Sequence, residues 1–155
     1  MSKVSREFVV EEDVLREHQE LEALLMQVCE MFHEHRTKRA LGAARLMDAL
    51  DELREHLGMM FALKEHDGYL DHAAKTAAPL GRRIGAIKAE HKVLFEELSR
   101  LIDQCDLDVA RGRWEQTWKL AEMTFENFCE QFYDQEAGEA ELAQQVFKLD
   151  SATGD

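Results

Sequence analysis

The stretch IGAIKAEHKVLFEELSRLIDQC, Ile84 to Cys105, decides the fold. Its apolar residues fall at Ile84, Ile87, Leu94, Leu98, Leu101 and Cys105, mostly in alternating steps of three and four. That spacing is the seam of a helix packed lengthwise against other helices. His91 interrupts the seam between Ile87 and Leu94. A desolvated imidazole nitrogen costs free energy unless something pairs with it. Its partner is a backbone group, a side chain or a metal ion.

Three more seams lie on either side. A first helix, over about 11–36, opens on the carboxylates of Glu11–Asp13, which suit a helix N-terminus. Its stripe is Val14, His18, Leu21, Leu25, Val28 and Phe32, and the basic run Arg36, Lys38, Arg39 suits its C-terminus. A second helix, over about 40–66, carries Leu46, Ala49, Leu53, His56, Met60 and Leu63, with Leu50 and Leu57 widening the stripe. Asp67 to Pro79 reads as a longer connection: Gly68 stops one helix and Pro79 fits the first turn of the next. The third helix covers about 80–111, and Gly112 marks a tight turn. The fourth, over about 113–148, carries Trp114, Trp118, Ala121, Phe125, Phe128, Phe132 and Gln135, then more weakly Leu142, Val146 and Phe147. From about residue 150 a frayed tail is expected. Four long helices joined by two tight turns and one longer link make an all-α, up-down-up-down four-helix bundle, a single domain over residues 1–155.

Composition agrees. One proline and eight glycines in 155 residues favour helix throughout. Lys+Arg 19 against Asp+Glu 32 gives a net charge of -13, which disfavours nucleic acid and anionic membranes as partners. No apolar run approaches the roughly 20 residues needed to span a bilayer. The opening residues lack the apolar core of a signal peptide, so a cytoplasmic chain is expected, with Cys29, Cys105 and Cys129 reduced. All three lie on or beside apolar faces and read as small buried hydrophobes. Trp114 and Trp118 read as packing between helices; exposed, they would mark a homodimer or partner surface.

Counting from the turns sets the seam histidines at one level. His18 lies 20 residues before Lys38, His56 lies 18 after it, and His91 lies 21 before Gly112. At about 1.5 Å per residue these heights agree to within roughly one helical turn. Each histidine alone reads as a satisfied core residue, but three in one layer imply a shared purpose. The same count on the fourth helix reaches Gln131, Phe132, Tyr133, Asp134 and Gln135; Gln131 and Gln135 share a face with Phe128 and supply amides. His33, His35, His66 and His72 lie off the seams and read as solvated. Glu65, His66, Asp67 and His72 form a local cluster whose spacing matches no tight metal site.

Arg16-Glu17-His18-Gln19-Glu20-Leu21 and Ala89-Glu90-His91-Lys92-Val93-Leu94 resemble the repeated E-H-x-x-L openings of the hemerythrin-like (HHE cation-binding) family, and Leu53-Arg54-Glu55-His56 is similar to its helix-two histidine. The resemblance covers Val14 to about Glu139. It implies a four-helix bundle that holds two irons through histidines and bridging carboxylates, with His-x-x-x-Glu on helices two and four, and that binds O₂ or another small ligand. This chain departs from the pattern: Met60 follows His56 where Glu would stand, Gln131 and Gln135 replace the helix-four donors, and Ile87 replaces a helix-three histidine.

Two cations a few ångströms apart need bridging carboxylates to offset their repulsion. An intact di-iron centre, and with it oxidase or peroxidase chemistry, is therefore not expected. Three imidazoles, His18, His56 and His91, are left for one Fe or Zn ion, with Glu22, Glu52 or Asp134 as additional donors. The expectation is a non-catalytic metal-binding or sensory protein holding at most one metal ion. The alternative is a metal-free structural or interaction bundle whose histidine layer hydrogen-bonds to glutamines.

Overall fold

The computed structural model describes residues 3–38, 43–66 and 78–153, and side chains within 12–36, 43–65 and 81–145. It is an all-α four-helix bundle: α1 (Lys3–Lys38), α2 (Ala43–His66), α3 (Ala78–Ala110) and α4 (Trp114–Thr153). Successive helices pack on one another and α4 returns to α1, closing the ring. Cross-helix pairs fix the directions. Arg36 of α1 pairs with Glu122 of α4, and His18 pairs with Glu136, so these helices run antiparallel. Arg54 to Asp103 and Glu65 to His91 set α2 antiparallel to α3.

Each helix buries a stripe with alternating steps of three and four. Leu21, Leu25, Val28 and Phe32 come from α1, and Leu46, Leu50, Leu53, Leu57 and Met60 from α2. Leu94, Leu98, Leu101, Ile102 and Cys105 come from α3, and Trp118, Phe125, Phe128 and Phe132 from α4. Each fully buried leucine contributes roughly 1.5–3 kcal/mol. Aromatic rings run along the α4 seam, Phe125 to Phe128 at 6.2 Å and Phe128 to Phe132 at 6.3 Å. Trp114 and Trp118 are both buried, as the seam requires.

The turn before α4 is built by Gly112, whose φ of 68° suits a residue without a Cβ. Arg113 N donates to Asp108 O at 2.7 Å and Gly112 N to Val109 O at 3.1 Å, the paired bonds of a Schellman stop.

Two boundaries and one burial differ from the sequence reading. α1 begins at Lys3, eight residues before Glu11, because no glycine or proline interrupts residues 3–10. The tail expected to fray from about 150 is helical to Thr153, just short of Gly154. His35, assigned to solvent, is buried and set edge-on to Trp118 at 5.0 Å. It continues the α1 stripe three residues after Phe32. The first tight turn, the 67–77 part of the long connection, and the His66, Asp67 and His72 side chains lie outside the described residues.

Candidate functional site

The α2 stripe does not end at Met60. One turn further, Lys64 lies on the same face with a side chain only 2% exposed. An unpaired ammonium at that depth would lose its proton or unfold the protein. Two α4 carboxylates pair with it: Nζ donates to Glu139 Oε2 at 2.5 Å and to Glu136 Oε1 at 3.0 Å. Burial works to neutralise the ammonium, but Glu139 and Glu136 outweigh it and hold its pKa above the usual 10.5.

From Lys64 the ion pairs spread to all four helices. The other Glu139 oxygen, Oε1, accepts from His91 Nε2 on α3 and from Gln135 Nε2 at 2.6 Å. His91 Nδ1 faces Glu65 Oε2 of α2 at 3.4 Å, and its ring stacks on Phe61 at 4.0 Å. On the α1 side, Glu136 Oε2 lies 3.1 Å from His18 Nε2. The path His18–Glu136–Lys64–Glu139–His91–Glu65 therefore crosses the bundle without a break. Burial pushes the Glu139 carboxyl up, but the His91 hydrogen bond and the Lys64 charge prevail and set it at about 2. Such a carboxylate stabilises the fold above its ordinary 4.5 and loses that contribution as pH falls toward about 2.

The sequence-derived residues separate here. His91 is central to the network and His18 sits at its half-exposed edge, whereas His56 turns to α1. His56 Nδ1 lies 2.8 Å from Glu17 Oε2 and 3.3 Å from Glu20 Oε2. The Glu17 hydrogen bond raises the His56 pKa from its usual 6.5, against burial. That stabilising contribution is present below 6.5 and is lost as pH rises through the raised value. Among the described residues, Glu17, Glu20 and His56 are the trio of His, Cys, Asp or Glu whose donor atoms all lie within 4.8 Å of one another. His18, His56 and His91 do not converge in that way.

Glu22 stands 3.9 Å from His18, while Glu52 and Asp134 are exposed. Of the two amides expected to wall the layer, Gln135 is buried and Gln131 is exposed. Gln135 bonds to Glu139 and not to a histidine.

Lys64, Glu136 and Glu139 are not among the sequence-derived site residues, and Glu65 enters there only through the local cluster with His66, Asp67 and His72. The signal was available as the stripe steps Leu57, Met60, Lys64 and Phe132, Gln135, Glu139.

A metal centre in the layer does not fit these residues. Its carboxylates are taken by an internal ammonium. The Lys64 ammonium by itself repels a divalent ion about 4 Å away by roughly 8 kcal/mol at an effective dielectric of about 20, and it occupies the Glu136 and Glu139 oxygens that would offset that repulsion. Thioether and amide, from Met60 and Gln135, are weak donors for ferric iron. Among the described residues no helix is long and apolar enough to cross a membrane. The chain matches no protein-family model, no curated protein and no solved structure.

Proposed function

We propose that this protein is a hemerythrin-like bundle in which a lysine has taken the place of the metal, and that it acts without metal and without catalysis, as a regulatory or protein-interaction domain. One observation carries the proposal: Lys64 Nζ sits between Glu136 and Glu139 at 3.0 and 2.5 Å, at the centre of a buried polar layer. The register of that layer supports the resemblance. Each of helices two and four turns an i, i+4 pair inward, Met60 with Lys64 and Gln135 with Glu139. Their i, i+4 spacing is that of the family's His-x-x-x-Glu, set one turn beyond the His56–Met60 alignment that the resemblance implies.

Both His91 nitrogens face carboxylates, Glu65 and Glu139, so neither is free to bind a metal ion. The half-exposed trio Glu17, Glu20 and His56 favours a second reading, one divalent cation held at the bundle's side. A cation there competes with the proton on His56, so its affinity would rise with pH.

Metal content separates the two. The protein is purified without a nickel column from cells supplemented with iron, zinc and manganese, and its metals are measured by mass spectrometry. Far less than one equivalent is expected. One equivalent that survives His91→Ala and disappears in His56→Ala establishes the side cation. One equivalent lost in His91→Ala overturns the lysine-centred reading.

A further inference from the structure

The groove between α3 and α4 holds two open hollows of about 440 and 460 Å³, and Gln131 lines both, so they form one trough. Its lining on α4 runs from Thr117 to Gly138, which at about 1.5 Å per residue makes it roughly 30 Å long. The floor is the outer edge of the core: Leu94, Leu101 and Cys105 from α3, Ala121 and Phe128 from α4. Val93 and Leu120 stand along it, 50% and 66% exposed. An apolar trough of this length with a polar rim marks a place where a partner binds.

Charge and hydrogen bonding specify the partner. Glu90, Glu97, Asp108 and Asp134 bring negative charge to the rim, against Arg100 as the positive charge among the described lining residues. A second copy of this chain would bring the same acidic rim and a net charge of -13, so two copies repel each other there. At one end stands Gln135, more than nine-tenths buried, whose Nε2 donates to Glu139. Its Oε1 has no hydrogen-bond partner among the described residues. An amide oxygen only accepts, so the group that completes it carries an N–H or O–H. Both helices satisfy their own backbone, so an extended strand finds no edge to pair with. A helix satisfies its own backbone too and needs only side-chain contacts.

We propose that the α3–α4 trough docks an amphipathic helix from a basic partner protein. The apolar face of that helix lies against Val93, Leu101, Leu120 and Phe128, and its lysines or arginines meet the acidic rim. One of its donors reaches Gln135 Oε1. The proposal rests on the reading of this chain as a protein-interaction domain, and it names the surface and the chemistry of the partner. Gln135 joins the trough to the Lys64 layer through its bond to Glu139.

The test uses the full-length chain and a synthetic helix of about 18 residues, with leucines on one face and lysines on the other. Binding at about 0.15 M salt is followed by fluorescence anisotropy and mapped by amide NMR. Signals of the α3 and α4 residues that line the trough should move, together with the Gln135 side-chain amide. A scrambled peptide of the same composition should bind at least about tenfold more weakly, and so should one with glutamates in place of the lysines. Val93→Gln combined with Leu120→Gln should weaken the leucine–lysine helix about tenfold. Met26→Gln combined with Met59→Gln, at exposed positions on α1 and α2, should leave it unchanged. The mapping on the unmutated chain stands whether or not the variants fold. Equal binding of the scrambled peptide, shifts centred on α1 and α2, self-association through the trough, or no binding would overturn the proposal. Metal content keeps the two readings apart. No binding by a chain that also lacks metal sinks the trough alone, whereas one equivalent lost in His91→Ala sinks the lysine-centred reading whatever the peptide does.

Discussion

Replacing Lys64 with methionine is expected to lower the free energy of unfolding by about 3–5 kcal/mol, the cost of leaving buried charge uncompensated. Total stability for a domain of this kind is about 5–15 kcal/mol, so the loss takes a large share of it. Methionine matches the length of the lysine stem, so little packing is lost and the effect isolates the charge. Glu136 and Glu139 remain, with His18 and His91 as their nearest partners. Urea denaturation measures the change, and an unaltered slope would show that the folded state keeps its compactness. Adding Glu136→Gln and Glu139→Gln to Lys64→Met should recover much of the loss, because an apolar or neutral replacement of a whole buried network is often tolerated. Equal stability for Lys64→Met and the unmutated chain would show that the ammonium is not held as described.

The triple variant Met60→His, Lys64→Glu, Gln135→His is expected to retain divalent metal more firmly than the unmutated layer. Lys64→Glu removes the roughly 8 kcal/mol repulsion between an ammonium and a divalent ion about 4 Å away at an effective dielectric of about 20. It also adds a carboxylate, and the two new imidazoles supply donors suited to iron or zinc. His91 and Glu139 are already in the layer. After iron loading without oxygen and gel filtration, at least one equivalent should remain with the variant and far less with the unmutated chain. Lys64→Glu alone should retain less than the triple variant, since weak donors remain at Met60 and Gln135. A folded triple variant that holds no iron would remove the link between this layer and a metal centre.

The bundle was legible because seam spacing is a property of the whole helix, so one misplaced residue changes little. Seams on α1, α3 and α4 matched the buried stripes, and Gly112 marked its turn. Two physical features hide the site in the sequence. A lysine is rarely fully buried unless paired, so the α2 stripe was drawn through His56 and Leu63 and passed over Lys64. The observed stripe runs Leu50, Leu53, Leu57, Met60, Lys64, which leaves His56 at its flank.

Level-counting from turns then stopped too soon on α4. His91 lies 21 residues before Gly112, yet its partner Glu139 lies 27 after it. Side chains tilt toward the N-terminus of their own helix. On α3 that direction leads away from the turn, and on α4 it leads back toward it. The partner on α4 must therefore start farther from the turn than the backbone count suggests. That offset carries the layer past Gln131 and Asp134 to Glu136 and Glu139. His18 pairs with Glu136 for the same reason.

On the proposed function, a charged Lys64 and not a metal ion holds the buried polar layer together. Carbon NMR of the Lys64 Cε, assigned by its absence in Lys64→Arg, reports the charge on Nζ directly. Because the folded pKa is raised, the stabilisation by Lys64 is fully present below 10.5 and is lost only as pH rises through the folded value. The expected result is an ammonium that stays protonated through pH 10.5 and whose signal does not move when zinc is added. A Lys64 that is neutral at pH 7, or that is displaced by one equivalent of zinc, would contradict the account.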